Sequence, residues 1–123
     1  MTAKNVLGTA LVPCSFDPLT GWLRDGCCHT DANDHSSHVI CVKVTVGFLN
    51  QQMEAGNDLI TPRPEHRFAG LKPGDRWCVC ALRWKQALAA GHPPTVVLEC
   101  THEKALKYVS LSQLQTHALE TVR

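Results

Sequence analysis

Seven cysteines in 123 residues, Cys14, Cys27, Cys28, Cys41, Cys78, Cys80 and Cys100, are the most conspicuous reactive groups in this sequence. A thiolate is both a nucleophile and a soft metal ligand, so the neighbours of each cysteine decide which chemistry is open to it. For catalysis the candidates are Cys14, Cys27 and Cys28, with His38 or His102 as base and Asp25 or Asp17 to orient it. Such partners meet only in space, so their spacing along the chain does not test them. The vicinal pair Cys27-Cys28, with Arg24 close by to lower a thiol pKa, suits disulfide exchange or sulfenic chemistry equally well.

For a metal, Cys14, Cys27, Cys28 and Cys41 with His29, His35 and His38 offer ligands of the kind zinc takes in tetrahedral sites. The spacing argues against it. No Cys-x-x-Cys occurs, two adjacent sulfurs rarely share one ion without strain, and Cys78-x-Cys80 is a weak signal on a strand. No cofactor is favoured; zinc is the one these residue types admit. Cysteines acting as small buried hydrophobes beside exposed histidines account for the same pattern.

A third chemistry is capture of an anionic or polar small molecule. Arg63 stands between Pro62 and Pro64, which hold its backbone extended and reduce the entropy lost when its planar fork meets a carboxylate or phosphate. Asp58, Asp75 and Arg76 share that loop, and Trp77 supplies a wall. The expected pocket lies between the Cys14 to Cys28 and Asp58 to Cys78 segments, drawing on Cys14, Asp17, Arg24, Asp25, Cys27, Cys28, Asp58, Arg63, Asp75 and Trp77. The simpler alternative pairs Arg63 internally with Asp25 or Asp58, tying the two loops together. Other tempting residues have structural explanations: Trp84 at helical spacing with Ala87 and Leu88 is core, and Glu103 compensates a helix dipole in a first turn beside His102.

The elements that must position these groups follow from periodicity. Val39 to Val44 is β-branched and reads as a strand. Thr45 is placed to cap a short helix ending at Gly56, with Val46, Leu49 and Met53 on one face and Phe48 and Gln52 flanking it. Asn57 to Asp75, with three prolines and two glycines, reads as an irregular but stiff loop, of a length more often functional than ornamental. Arg76 to Leu82 is a second strand, and Arg83 to Ala90 a helix with Trp84, Ala87 and Leu88 inward and Gly91 as its stop. Thr95 to Cys100, apolar on both faces from Val96 to Leu98, is expected as a central strand. Thr101 is placed to cap a helix from His102 to Val109 with Ala105, Leu106 and Val109 buried. Ser112 with Gln115 spells a capping box for a last helix whose Leu114, Ala118 and Leu119 pack back on the sheet. Before these elements, Asn5 to Ser37 is turn-rich, and its Thr30 to Ser37 part reads as an exposed loop. The sum is an α+β fold, a two-layer sandwich with a small sheet covered by helices on one side, in a single domain.

Composition excludes several classes. Hydrophobic residues make up 44% and charged residues 19%, with a net charge of +1. There is no basic stripe for nucleic acid and no apolar run of the roughly 18 to 20 residues a membrane span needs. The stretch Met1-Thr2-Ala3-Lys4-Asn5 lacks a secretory pattern, so the expected setting is the reducing cytosol. The odd cysteine count and that setting point to thiols in place of a disulfide framework, and neighbours such as Cys27-Cys28 bridge only with strain. Self-association is a further expectation, since a small sheet leaves a face or an edge to cover.

Several blocks resemble a mainly bacterial family known only as domain of unknown function 2237. They are Cys14 to Gly21, Arg24-Asp25-Gly26-Cys27-Cys28, Gly56-Asn57-Asp58-Leu59, Thr61-Pro62-Arg63-Pro64, Gly70 to Cys78, Arg83-Trp84-Lys85 and Thr101 to Leu106. The resemblance spans Asn5 to about Ala118 and implies a two-layer α/β sandwich. It implies no catalytic residues, so whether the protein is an enzyme stays open. Cys100 and the Thr30 to His35 loop depart from the family pattern, which makes Cys100 a poor functional candidate.

Overall fold

The computed structural model describes residues 3–119. Its centre is a three-stranded antiparallel sheet of β1 (His38–Lys43), β2 (Arg76–Cys80) and β3 (Thr95–Val96), ordered β2-β1-β3. Three α-helices complete the small α+β fold: α1 (Val46–Glu54), α2 (Ala81–Ala89) and α3 (Leu111–Thr116). No helix among the described residues is long and apolar enough to cross a membrane.

Register assigns the two faces of the sheet. Cα partners Ile40 with Val79 and Val42 with Trp77 share one face, while Cys41 with Cys78 shares the other, because side chains alternate along a strand. The first face joins the main core, in which Phe48, Leu49, Trp84 and Ala87 of α1 and α2 pack. The second meets a separate buried cluster of Cys14, Cys28, Cys41, Cys78, Val97 and Cys100. Helices thus cover one face, and a cysteine-lined loop region covers the other.

Local chemistry explains the element ends. Thr45 caps α1 by accepting the Phe48 N–H at 3.1 Å, and Gly56, at φ +89°, turns the chain out of it. The buried stripe of α1 is Phe48, Leu49 and Gln52, whereas Val46 and Met53 are exposed. The helix is therefore rotated from the expected face, toward its contact with α2.

Four further expectations are corrected. The strand at Thr95 is two residues long and lies at an edge; Leu98–Cys100 is a 3-10 turn, and β1 takes the central place. Thr101 turns inward instead of capping: its hydroxyl donates to the Val97 carbonyl at 2.9 Å and accepts the Cys41 N–H at 3.2 Å. The element after it is a 3-10 helix, Glu103–Lys107, capped by His102 Nδ1. The capping box of α3 is formed by Ser110 and Gln113, two positions before the expected pair, because Gln113 is the residue that reaches back to the Ser110 N–H.

Candidate functional site

The site is built on the outer edge of β2. In the turn-rich N-terminal segment, Gly21 and Gly26 adopt positive φ, and a side chain at Gly21 would strike the Cys27 carbonyl. Between them Arg24, also at positive φ (55°), folds back so that its guanidinium donates to the Gly21 carbonyl at 3.0 Å. The buried Thr20 hydroxyl accepts the Cys78 N–H at 2.8 Å, fastening this turn to β2. As a result the Arg24 guanidinium lies 5.1 Å from the centre of the Trp77 ring, within cation–π range.

The second wall comes from the proline-rich loop. Arg63 and Phe68 exchange both backbone hydrogen bonds, 2.7 and 3.1 Å, around a 3-10 turn at Pro64–His66. Gly70, at φ +83°, packs so closely on the Ile60 carbonyl that no side chain fits there. Phe68 leans on Trp77 at 5.3 Å between ring centres. Arg24, Asp58, Arg63, His66 and Trp77 then line one cavity of about 230 Å³. A neighbouring cavity of about 310 Å³ shares Arg24, His66 and Trp77 and adds Trp22 and His38. A third, about 220 Å³, shares Trp77 and continues along β2 to Cys80 and Arg83. Together they form a cleft following Trp77 to Cys80.

Arg24, Asp58, Arg63 and Trp77, widely separated in sequence, line one cavity. The internal pairing considered for Arg63 is not what is found. The two close ion pairs among the described residues are Asp25 with His29 and Asp34 with His38, each at 2.7 Å. Asp58 is engaged by its own loop, accepting the Ile60 and Thr61 N–H groups at 2.9 and 3.0 Å. Its carboxyl is held below the ordinary value, first by Thr61, then by Ile60 and by the charge of Arg63.

The other sequence candidates lie elsewhere. Asp75 accepts the Lys72 N–H at 2.9 Å and closes the turn before β2. Asp17 is exposed beside Pro18, in a tight turn closed by a bridge between Phe16 and Leu19. Asp25 accepts the Cys27 N–H at 3.0 Å and binds His29, so Asp25, Cys27 and His29 form their own cluster on a partly exposed turn.

The cysteines overturn the expectation of free thiols. Cys14 is bonded to Cys41 and Cys28 to Cys78, with Cα separations of 5.8 and 5.3 Å. Cys14 and Cys28 are thereby removed as nucleophiles in this state. The free cysteines are Cys27, Cys80 and Cys100. Burial, then the negative charge of Asp25, pushes the Cys27 thiol up, the opposite of thiolate activation. Cys100 is buried, its thiol pushed up to about 11, chiefly by desolvation. The vicinal pair fails to bridge because each cysteine has a different neighbour in space, and it is Cys78, 50 residues on, that meets Cys28.

One residue of the site went unnoticed in the sequence. Asp34, 2% exposed, accepts from the His38 N–H at 2.8 Å, the His38 ring at 2.7 Å and the Thr30 hydroxyl at 3.0 Å. Burial alone would raise its carboxyl, but these bonds hold it below the ordinary value. The His38 ring, fixed through Nδ1, stacks on Trp22 at 5.7 Å and faces the cleft. The only sequence signal was the i, i+4 spacing of Asp34 and His38, in a stretch read as an exposed loop.

No curated protein matches the chain. The family described as "uncharacterized protein conserved in bacteria (DUF2237)" matches residues 4–118, nearly the whole length, and the chain belongs to that family.

Proposed function

We propose that the protein is a small-molecule-binding module whose ligand is a small anion carrying a flat apolar group, seated in the cleft along β2. The observation that carries this reading is Arg24 laid over Trp77 beside Arg63, with the one carboxylate of that cavity, Asp58, already engaged by backbone N–H groups. A guanidinium held on an aromatic wall is oriented before a ligand arrives, which lowers the entropy cost of binding a carboxylate or phosphate. Trp77 and Phe68 supply the apolar surface for the flat part. His38, oriented by Asp34, presents its ring at the cleft's other end.

The thiol-dependent alternative is weaker on this geometry. Two of its three cysteines are cross-linked and the third has a raised pKa. The binding reading is tested by thermal shift against a panel of aromatic carboxylates and phosphates, with inorganic phosphate as the apolar-free control. An aromatic anion should raise the melting temperature of the wild type, and Arg63→Ala should abolish the shift. Silence across the panel would remove the proposal.

A further inference from the structure

The four cysteines behind the sheet form a second site, which shares Cys78 with the lining of the cleft. Cys41 and Cys78 are Cα partners on neighbouring strands and project to one face. Cys14 and Cys28 approach them from the N-terminal turns. The sulfurs of Cys14, Cys28 and Cys78 all lie within 4.8 Å of one another; Cys41, the fourth, is bonded to Cys14 and lies beyond that distance from at least one of the other two, so it closes in on them only when its disulfide opens. Two disulfides thus sit against each other. Loop stapling does not require this, since each bond closes its own loop wherever it lies. A tetrahedral zinc site does require it, because bonds of about 2.3 Å to sulfur place the ligands roughly 3.8 Å apart. The burial fits the closed, structural type: Cys14 is 4% exposed, Cys28 and Cys41 0% and Cys78 2%. Cys100, in the same cluster, is occupied, its thiol donating to the Pro13 carbonyl at 3.3 Å.

We propose that in the reduced protein Cys14, Cys28, Cys41 and Cys78 hold one Zn²⁺ as a tetrathiolate, and that the two disulfides are the oxidised state of the same site. A dithiol reductant gives two electrons and two protons to each disulfide and becomes a disulfide itself. Zn²⁺ then displaces the four thiol protons and four Zn–S bonds form, leaving the site at net charge −2. A disulfide oxidant reverses the sequence and releases the ion. Either state ties the N-terminal turns to β1 and β2, so the fold is held in both. A reducing compartment selects the metal form and an oxidising one the disulfide form.

The test uses the full chain, reduced with a phosphine, loaded with Zn²⁺, freed of excess metal and weighed by native mass spectrometry. The expected result is one zinc and four fewer protons per chain, with Cys27→Ser and Cys80→Ser binding as well as the wild type. Loading with Co²⁺ should give the absorption of a tetrahedral four-thiolate centre, lost in Cys78→Ser. Reduced, folded protein that retains no zinc would overturn the proposal. So would zinc lost in Cys27→Ser, which would place the ion on the Asp25, Cys27 and His29 cluster. If Cys78→Ser does not fold, the wild-type Co²⁺ spectrum still decides, because a centre with fewer than four thiolates contradicts it.

Discussion

Cys41 stands directly opposite Cys78 across β1 and β2, and each is bonded to a different cysteine of the N-terminal segment. This pair transmits the rigidity of the sheet to the turns that present Arg24. The oxidised protein, denatured without reductant, should therefore take up alkylating agent at three cysteines, Cys27, Cys80 and Cys100, and at seven after reduction. Intact mass reads both counts. Opening the Cys28–Cys78 loop of 50 residues, with no metal present, should cost about 3–4 kcal/mol in denaturant unfolding by the chain-entropy estimate.

Asp34 anchors the other end of the cleft. Asp34→Ala leaves the His38 N–H and the Thr30 hydroxyl without their acceptor, a loss of about 2–4 kcal/mol measured by urea unfolding. Because its folded pKa is depressed, its ionic contribution is fully present above the ordinary aspartate value of about 3.9 and is lost as pH falls through the lower folded value. The wild type should lose stability below about pH 4 more steeply than Asp34→Asn.

Cys27 is partly exposed, yet Asp25 opposes its ionisation. Its alkylation near neutral pH should be slow. Asp25→Asn should accelerate it, since removing a nearby like charge lowers the thiol pKa. Peptide-level rates measure this directly, and an unchanged rate would show that burial alone sets the thiol.

At Gly21, positive φ and the adjacent Cys27 carbonyl both exclude a side chain. Gly21→Ala should destabilise by about 2–4 kcal/mol and weaken ligand binding as the Arg24 turn distorts. The melting temperature and the Arg24-dependent thermal shift report the two effects separately.

Much of the fold was legible because its signals are local. The β-branched run of β1, the Thr45 cap and the Trp84 stripe of α2 each fit within a few residues. The edge position of Thr95–Val96 was not legible, because apolar residues on both faces report burial without saying what covers them. In the cleft, Arg63 and Asp58 stood out from the stiffness of the proline-rich loop that carries them, Trp77 as a wall beside it, and Arg24 only as a neighbour of the cysteines. The disulfides and the Asp34–His38 dyad were not legible, since Cys28 meets Cys78 only where the N-terminal turns pack on β2, and Asp34 is buried only through contacts made in the folded chain. Compartment reasoning pointed to thiols and away from the pairing that register allows.

The central claim is that the Trp77 cleft takes a flat anion. It is tested most directly by nuclear magnetic resonance of ¹⁵N-labelled protein titrated with phenyl phosphate. Saturable shifts should appear at the Trp77 indole N–H and the Arg24 and Arg63 side-chain N–H groups. Arg24→Ala should weaken affinity about tenfold, as expected for one charge-assisted contact. Shifts that never saturate and are spread over the surface arginines, or none at Trp77, would contradict the account.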